Sequence, residues 1–413
     1  VPKKAVLPVS QHLGAPCNPC VKKGDTVKTG QLVADSDKAV SAPIHSSITG
    51  KVTAVEHRNH PLGPRVMSIV IEGDGSDEWA EGMDSSLFDK DAPRDIDMSR
   101  KDSFRKIIRD AGIVGMGGAA FPTHIKLSPP PDKKIDTLII NGAECEPYLT
   151  ADHRLMLERP NSVLQGVRIF REILGAEKVY IAIEANKPDA VKLLAPLAGK
   201  YGFEVAVCQT KYPEGGEKQL INALTGRETP SGGLPMDVGC VVQNVGTAAA
   251  VYEAVALGKP LIERIVTVTG SAVGKPNNLM VRMGTAFREL LDFCAYEGHD
   301  GDKVIMGGPM MGKAQKYLDV PVVKGTSGIV CVRAEDIITM DHRPCLHCGQ
   351  CVTVCPMGLN PSELALRAEF REYDDLLKIG LMDCMECGGC AFICPARRHL
   401  VHLIRVGKME VKR

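Results

Sequence analysis

Eight of the fifteen cysteines lie between residues 345 and 394, in two copies of one motif. Each copy has the spacing C-x2-C-x2-C-x3-C followed by proline, and the eight are Cys345, Cys348, Cys351, Cys355, Cys384, Cys387, Cys390 and Cys394. Bacterial proteins hold [4Fe–4S] clusters with this spacing. Structural zinc is the alternative, but zinc sites use paired C-x2-C knuckles with four ligands to one ion. The repeated motif therefore predicts two [4Fe–4S] clusters.

The fourth cysteine of each copy is expected to ligate the cluster of the other copy, as it does in two-cluster motifs. One cluster is then held by Cys345, Cys348, Cys351 and Cys394, and the second by Cys384, Cys387, Cys390 and Cys355. We expect each fourth cysteine to follow a tight turn and to begin a helix. Residues 362–378, between the two copies, have a helical pattern. The pattern predicts a ferredoxin-like module on an α-helical frame.

A glycine-rich segment, residues 112–123, could present successive backbone N–H groups to a phosphate. It is not the dinucleotide fingerprint between a strand and a helix, so by itself it is also compatible with a plain turn. Three later segments, residues 141–147, 211–218 and 243–247, place glycine with amide or carboxylate groups at predicted strand–helix turns. Because α/β proteins bind ligands at the carboxyl ends of parallel strands, we expect these segments to border one crevice.

Several of these residues also have ordinary structural explanations. Asn244 and Thr247 both suit the N-terminus of a helix. Glu144 and Glu146 could end a solvated loop, and Phe121 could belong to a core.

The elements that must position these groups divide the chain into four predicted domains, residues 1–75, 76–257, 258–333 and 334–413. The first has short alternating runs and turn signals typical of a small all-β unit. In the second, strand patterns at 135–140, 179–183 and 203–207 alternate with helical patterns at 162–174 and 188–201. That order predicts a parallel sheet with helices on its faces. The third domain reads as a small α+β unit, and the fourth carries the cysteine motifs.

Composition excludes several classes of protein. Fifty basic and fifty acidic side chains in 413 residues leave no net field to attract nucleic acid, and aromatic residues make up only 4%. The most apolar stretch, residues 245–257, is interrupted by Glu253, so we expect no transmembrane helix. Clustered cysteines in a long chain indicate metal ligands rather than a disulfide framework.

The crevice motifs, in their order along the chain, resemble the NADH-binding flavoprotein subunit of respiratory complex I. They read G-x-G-G-A-x-F-P-T-x-x-K from Gly115, N-x-x-E-x-E-P from Asn141, G-x-E-x-x-L-x-N-x-L-x-G from Gly215 and N-V-x-T from Asn244. The whole chain, including residues 11–17 and 41–45, resembles the C subunits of Rnf complexes. This resemblance implies a barrel-sandwich hybrid, a Rossmann-like flavin domain, a β-grasp domain that binds soluble ligands, and a two-cluster ferredoxin domain.

The resemblance also implies roles for individual residues. FMN would be bound by Gly115, Gly117, Gly118, Lys126, Asn141, Glu144, Gly215, Gly216, Gln243, Asn244 and Thr247. Lys126 would lie near its phosphate or ribityl chain. Phe121 would stack on the nicotinamide nucleotide, and Glu146 and Glu217 would hold its hydroxyls. The N-terminal domain is similar to lipoyl domains, which would place a modified lysine near Lys38; in the Rnf family the matching domain is unmodified.

The implied function is electron transfer between reduced ferredoxin and NAD(H) by a peripheral subunit on the cytoplasmic face of the bacterial membrane. Iron–sulfur clusters carry single electrons, NAD takes a hydride, and a flavin can exchange both. Hydride transfer would then need no catalytic side chain. The expected partners are the membrane and iron–sulfur subunits of the same complex, which would translocate ions and bring in ferredoxin. Two alternatives stay open: a soluble cobalamin reductase of similar architecture, and a non-catalytic electron-wire adaptor.

Overall fold

The computed structural model describes residues 1–83, 85–88, 91, 93–337, 341 and 343–411. Its first 75 residues are all β, as predicted. The strands are β1 (Lys4–Pro8), β2 (Asn18–Pro19), β3 (Thr26–Val27), β4 (Leu32–Asp35), β5 (Ile44–His45), β6 (Gly50–His60) and β7 (Gly63–Gly73). They form a four-stranded sheet in the order β1-β7-β6-β3 and a three-stranded sheet in the order β2-β4-β5. The two small sheets give this unit a sandwich architecture.

A parallel sheet follows, as the alternation of strand and helix patterns predicts. Its elements are α1 (Lys101–Asp110), α2 (Thr123–Lys126), β8 (Thr137–Asn141), α3 (Ala151–Glu158), α4 (Pro160–Leu174), β9 (Lys178–Glu184), α5 (Pro188–Gly199), β10 (Glu204–Cys208), α6 (Glu217–Thr225), β11 (Cys240–Asn244) and α7 (Val245–Leu257). The strand order is β10-β9-β8-β11, and every neighbouring pair is parallel. All four carboxyl ends therefore lie at one edge.

Both faces of this sheet are buried, which explains the continuous apolar runs in its strands. Leu138 and Ile140 belong to the main core together with Phe170 of α4. Ile139 points to the opposite face, where Leu220 of α6 packs in a second, smaller cluster. The strand period of two thus sends alternate residues into the two cores.

The third unit is a five-stranded mixed sheet with one helix. Its elements are β12 (Glu263–Thr269), β13 (Asn277–Arg282), α8 (Phe287–Phe293), β14 (Lys303–Met306), β15 (Lys313–Ala314) and β16 (Gly328–Val332). The strand order is β13-β12-β16-β14-β15, with β12 and β16 parallel and the other pairs antiparallel. Its apolar side chains join the same main core as the first sheets. The first three units therefore share one continuous interior.

The segment after the first sheets is tied down by its aromatic side chains. Trp79 meets Phe88 edge-on with ring centroids 4.7 Å apart. The Arg282 guanidinium lies 5.0 Å from the Trp79 ring centroid, and Lys259 Nζ lies 5.2 Å from that of Phe88. Arg282 and Lys259 also both pair with the carboxylate of Glu263. This joint fastens the connecting segment to the third unit.

The cysteine-rich part is helical, with α9 (Gln350–Thr353), α10 (Pro361–Glu369), α11 (Tyr373–Lys378), α12 (Gly389–Ile393) and α13 (Leu400–Val411). Short 3₁₀ helices lie at Ser85–Leu87, Met98–Arg100, Pro235–Val238, Ala334–Asp336 and Leu381–Asp383. The helix expected over residues 362–378 is two helices, because Arg371 adopts φ 61° and breaks it. In the described ranges, every helix is too short or too polar to span a bilayer.

Candidate functional site

A crevice of about 400 Å³ opens at the carboxyl edge of the parallel sheet. It is lined by every residue that was predicted to bind flavin or nucleotide except Thr247, namely Gly115, Gly117, Gly118, Phe121, Lys126, Asn141, Glu144, Glu146, Gly215, Gly216, Glu217, Gln243 and Asn244. The four predicted segments thus do border one site. Its volume lies in the range that small-ligand and cofactor pockets occupy.

Thr247 lies beneath the glycine-rich loop rather than in the crevice. Its hydroxyl accepts a 2.9 Å hydrogen bond from the Met116 N–H. Asn244 caps α7, since its Oδ1 accepts from the N–H groups of Gly246 and Thr247. The helix-cap explanation and the crevice explanation of Asn244 are therefore both correct: the cap fixes a side chain that also lines the site.

The turn after β8 places a half-buried carboxyl at the crevice. Glu144 adopts φ 49° and accepts from the N–H groups of Asp152 (2.8 Å) and His153 (3.0 Å) at the start of α3. Burial, with the nearby Asp152 charge, raises the pKa of Glu144 to about 8. Asp152 is half-buried and accepts from Asn244 Nδ2 at 2.7 Å, and desolvation raises its pKa too. These two carboxyls therefore hold a proton near neutral pH.

Asn141 joins the turn after β8 to the loop that precedes α6. Its amide donates to the Gly215 carbonyl at 2.8 Å, and its side-chain oxygen accepts from the Ala143 N–H. One side chain thus positions two walls of the crevice.

Lys126 and Glu217, predicted to bind different parts of the cofactors, are paired with each other. Lys126 Nζ lies 2.5 Å from Glu217 Oε1 and donates to the Val242 carbonyl at 2.8 Å. Both side chains remain partly exposed.

Glu146 has backbone partners from the third unit. It accepts from the N–H groups of Met310 (3.1 Å) and Met311 (2.7 Å), and burial raises its pKa. Phe121 is half-buried on the wall of the crevice.

The two cysteine motifs fold alike. His347 and Glu386, each two residues after a first cysteine, have φ 52° and 59°, and their N–H groups donate to Cys345 Sγ and Cys384 Sγ, both at 3.4 Å. Gly349 and Gly388 follow, also with positive φ. Alternating left-handed residues turn backbone N–H groups toward the enclosed sulfurs, as anion-binding nests do.

The cysteines assigned to the second cluster, Cys355, Cys384, Cys387 and Cys390, all border one cavity. No three His, Cys, Asp or Glu side chains of the described residues converge as ligands of a single ion would. Of the cysteines assigned to the other cluster, Cys348 is exposed, whereas Cys345, Cys351 and Cys394 are half-buried. Cys355 and Cys394 end short helices rather than begin them: Cys394 is the C-cap of α12, and Cys355 lies two residues after α9. Our expectation for the start of a helix at these positions was wrong.

Tyr212 and Met385 connect the crevice with the cavity of the second cysteine set. The Tyr212 hydroxyl donates to the Cys387 carbonyl at 2.5 Å, and Tyr212 also lines the crevice. Met385 lines both spaces. Gly216 lies close to Met385, since a Cβ at Gly216 would come within 2.9 Å of Met385 Cε.

Four sequence families match consecutive parts of the chain. They are the RnfC barrel sandwich hybrid domain over residues 1–76, the Nuo51 FMN-binding domain over 108–253, the SLBB domain over 265–314 and the 4Fe-4S dicluster domain over 337–395.

Curated relatives match nearly the full length. The C subunit of the proton-translocating ferredoxin:NAD(+) oxidoreductase complex of Clostridium ljungdahlii is 50% identical, with 99% of this chain and 88% of that protein aligned. The C subunit of the Na(+)-translocating ferredoxin:NAD(+) oxidoreductase complex of Acetobacterium woodii is 49% identical over 99% of this chain and 91% of that protein. The C subunit of an ion-translocating oxidoreductase complex of Rhodobacter capsulatus is 42% identical over 91% and 72%. The chain belongs to the RnfC family, the C subunits of Rnf complexes.

Solved structures extend the likeness in fold beyond the RnfC family. Two structures of an NAD+-reducing [NiFe]-hydrogenase, H2-reduced and air-oxidized, superpose with a TM-score of 0.52. They share 18% and 19% identity, covering 75% and 76% of this chain and 61% and 67% of the hydrogenase chains.

Sequence reasoning missed Arg264, Asp152, Tyr212 and Met385, all of which line the crevice. Arg264 is buried, and burial lowers its pKa to about 10. It comes from β12, far along the chain from the motifs. The one signal in the sequence was an arginine within an apolar strand pattern. An arginine in a buried strand needs a polar partner, so the pattern indicates a buried contact without naming it.

The crevice of this RnfC family member suits a flavin phosphate and ring. Gln243 Nε2 is buried with no hydrogen-bond partner among the described residues, so a donor is available for a ligand. Around Gly118 there is no described atom within 4 Å of a Cβ position, which leaves the backbone approachable. The residues present therefore fit FMN.

Proposed function

We propose that this chain is the peripheral subunit of a membrane ferredoxin:NAD oxidoreductase that passes electrons between [4Fe–4S] clusters, FMN and NAD(H). The complex would couple this transfer to translocation of Na⁺ or H⁺, the ions in the names of the relatives in Acetobacterium woodii and Clostridium ljungdahlii. Membrane and iron–sulfur subunits would be its partners, and the cytoplasmic face of the membrane its location. Ferredoxin would reach the chain through a partner subunit.

The domain boundaries proposed for this function are residues 1–75, 76–257, 258–333 and 334–413. No sheet of the described residues crosses these boundaries. The two small sheets lie in the first range, the parallel sheet in the second and the mixed sheet in the third, and the described residues of the fourth range form helices. The second is assigned a Rossmann-like fold and the third a β-grasp fold, since its mixed sheet packs against a single helix.

The observation that carries the proposal is the shared wall between the crevice and the second cysteine set. Tyr212 contacts both, and Met385 borders both. A cluster held by Cys355, Cys384, Cys387 and Cys390 would therefore adjoin a flavin in the crevice. The cluster held by Cys345, Cys348, Cys351 and Cys394 would be the one nearer the surface, because Cys348 is exposed.

FMN, when bound, supplies the exchange between two-electron hydride chemistry and one-electron transfer. The residues of the chain bind and orient it. Backbone N–H groups at Gly117 and Gly118 would bind its phosphate, assisted by the charge of Lys126. Gly115 would border the phosphate without donating to it, because its N–H donates to the Phe121 carbonyl at 2.9 Å. Asn141, Gly215, Gly216, Gln243 and Asn244 would line the ring, with Thr247 supporting the loop from below. The proton held by the Glu144–Asp152 pair reduces the negative charge at this wall.

NAD(H) would enter from the open side of the same crevice. Phe121 would stack on the nicotinamide nucleotide, since it forms part of the crevice wall. Glu217 and Glu146 would accept hydrogen bonds from ribose hydroxyls. Each carboxylate also has a protein partner, Lys126 for Glu217 and the Met311 N–H for Glu146, and these partners hold the acceptors in place.

The test is an anaerobic titration of the full chain reconstituted with iron, sulfide and FMN. NADH should bleach the flavin at about one equivalent and then reduce the clusters, as followed in the visible spectrum. Clusters that form without flavin retention or an NADH response would favour the electron-wire adaptor. Reduction of a corrinoid at a rate that matches turnover, with no association with membrane subunits in a pull-down, would favour the cobalamin reductase.

A further inference from the structure

Two buried cations of the third unit hold the glycine-rich loop by its carbonyl groups. The Arg264 guanidinium donates from Nη2 to the Met116 carbonyl at 3.1 Å and from Nη1 to the Lys324 carbonyl. Lys324 is buried to 1% exposure, and its Nζ donates to the carbonyls of Gly112 (2.7 Å) and Pro43 (2.6 Å). Among the described residues, neither cation meets a carboxylate at hydrogen-bond distance, and their acceptors are backbone oxygens.

Such an arrangement needs a reason, because burying a charge without a hydrogen-bonded carboxylate is costly. The Asp152 carboxyl acts on Arg264 only from beyond hydrogen-bond distance and offsets part of that cost. Burial lowers the pKa of Lys324 to about 7 and that of Arg264 to about 10. A lysine that serves only to fill space could be replaced by an apolar residue without this cost. Together the two cations donate five hydrogen bonds to backbone carbonyls. Two of the five accepting carbonyls, those of Gly112 and Met116, belong to the glycine-rich loop.

Because a trans peptide unit is planar, a contact that holds its carbonyl also fixes the direction of the N–H group of the next residue. The Met116 carbonyl and the Gly117 N–H belong to one peptide unit and point in opposite directions. Arg264 holds the carbonyl, so the Gly117 N–H is turned away from Arg264. At the start of the loop Lys324 holds the Gly112 carbonyl, and the Ile113 N–H of the same peptide unit donates to the Ile108 carbonyl of α1 at 3.1 Å. Lys324 therefore anchors the loop to α1 and does not direct an N–H group into the crevice. On the intervening backbone, Thr247 fixes the Met116 N–H at 2.9 Å.

We propose that Arg264 and Lys324 are positioning residues that set the glycine-rich loop for binding of an anionic phosphate group. The third unit then serves as the back wall of the flavin crevice, although the family match there is to an SLBB domain and not to a flavin domain. Gly112 shows how tightly this wall is built: a Cβ there would lie 2.7 Å from Lys324 Nζ and 2.2 Å from the Pro43 carbonyl oxygen. The assignment of that phosphate to FMN rests on the proposed function.

The first test measures the loop itself, without flavin. Amide hydrogen exchange is followed in the full chain and in Arg264→Met and Lys324→Met. We expect exchange of residues 113–121 to rise about 10- to 100-fold, the range that follows from losing a hydrogen bond to a charged group. Arg282→Met is the matched control, because Arg282 is a half-buried cation of neighbouring β13 that pairs with Glu263 and Asp77 and not with the loop. Unchanged loop exchange in both cation variants would overturn the proposal.

The second test measures ligand binding. Quenching of flavin fluorescence gives the FMN dissociation constant, which should rise at least about tenfold in Arg264→Met and stay within about twofold in Arg282→Met. Arg264→Lys keeps a cation that can donate to the Met116 carbonyl and should recover part of the affinity. An equal loss in Arg282→Met would show a general structural effect and overturn the proposal. A wild-type chain that binds no FMN would refute the FMN assignment, whereas loop exchange would still decide the role of the two cations.

Discussion

Replacing Gly117 by alanine tests the geometry of the glycine-rich loop most directly. A Cβ at this position would lie 2.7 Å from Asn244 Nδ2 and 3.0 Å from Asn244 Cγ, closer than side chains tolerate. Asn244 cannot retreat freely, because it caps α7 and donates to Asp152 at 2.7 Å. Loss of an Asn cap costs about 0.5–2 kcal/mol, and overpacking costs about 1–3 kcal/mol. We expect Gly117→Ala to lower the free energy of unfolding by about 1–3 kcal/mol.

The assay is thermal unfolding of the flavin-free chain, where each kcal/mol shifts Tm by about 2–4 °C for a domain of about 150–250 residues. The transition of the parallel-sheet domain should therefore fall by about 2–12 °C. Gly118→Ala is the matched control, since no described atom lies within 4 Å of its Cβ position. A Gly117→Ala chain that unfolds with the wild type, or a Gly118→Ala chain that loses as much, would refute the close packing of loop and cap.

Three further predictions concern the tyrosine contact, the carboxyl pair and the clusters. Tyr212→Phe removes the hydroxyl that donates to the Cys387 carbonyl, so NADH should reduce the clusters more slowly while flavin reduction keeps its rate; equal cluster rates in stopped-flow traces would contradict this. The pKa of Glu144 is raised from 4.5 to about 8, so the folded chain holds a proton that the unfolded chain releases, and stability falls as pH rises across that interval. Asp152→Asn should flatten the fall in denaturant unfolding between about pH 5 and pH 8, and a slope like that of the wild type would count against the pairing. Cys387→Ser should halve the iron content from about eight atoms to about four, whereas Cys20→Ser, at an exposed cysteine outside both motifs, should keep all of it.

Local patterns predicted the parts of the molecule that depend on neighbouring residues. The parallel sheet followed from apolar runs buried on both faces, and the crevice followed from turns at strand ends, which a parallel sheet gathers at one edge. The helix predicted over residues 362–378 failed because periodicity does not detect a single left-handed residue. There Arg371 reverses the chain, and the Glu372 N–H then bonds to the Arg367 carbonyl at 2.9 Å.

Contacts between distant segments could not be read from the sequence. Arg264 reaches Met116 across 148 positions, and Tyr212 reaches Cys387 across 175. Nothing in either local pattern indicates such a partner, because strand and loop residues of the same type occur throughout the chain. The hydrogen bonds from the Met310 and Met311 N–H groups to Glu146 are also contacts between distant segments. The family resemblance predicted which residues line the crevice. The contacts that hold those residues in place come from the third unit and appear only in the structure.

The joint between the connecting segment and the third unit also makes this chain convenient to observe. Trp79 is the single tryptophan in 413 residues, and it is the one placed between Phe88 and Arg282. Tryptophan emission, excited at the red edge of the absorption band where the eight tyrosines absorb little, therefore reports opening of that joint. Flavin fluorescence would report the crevice, and the brown absorption of iron–sulfur clusters would report the C-terminal module. One sample in one cuvette would then show in which order the units of this electron carrier come apart.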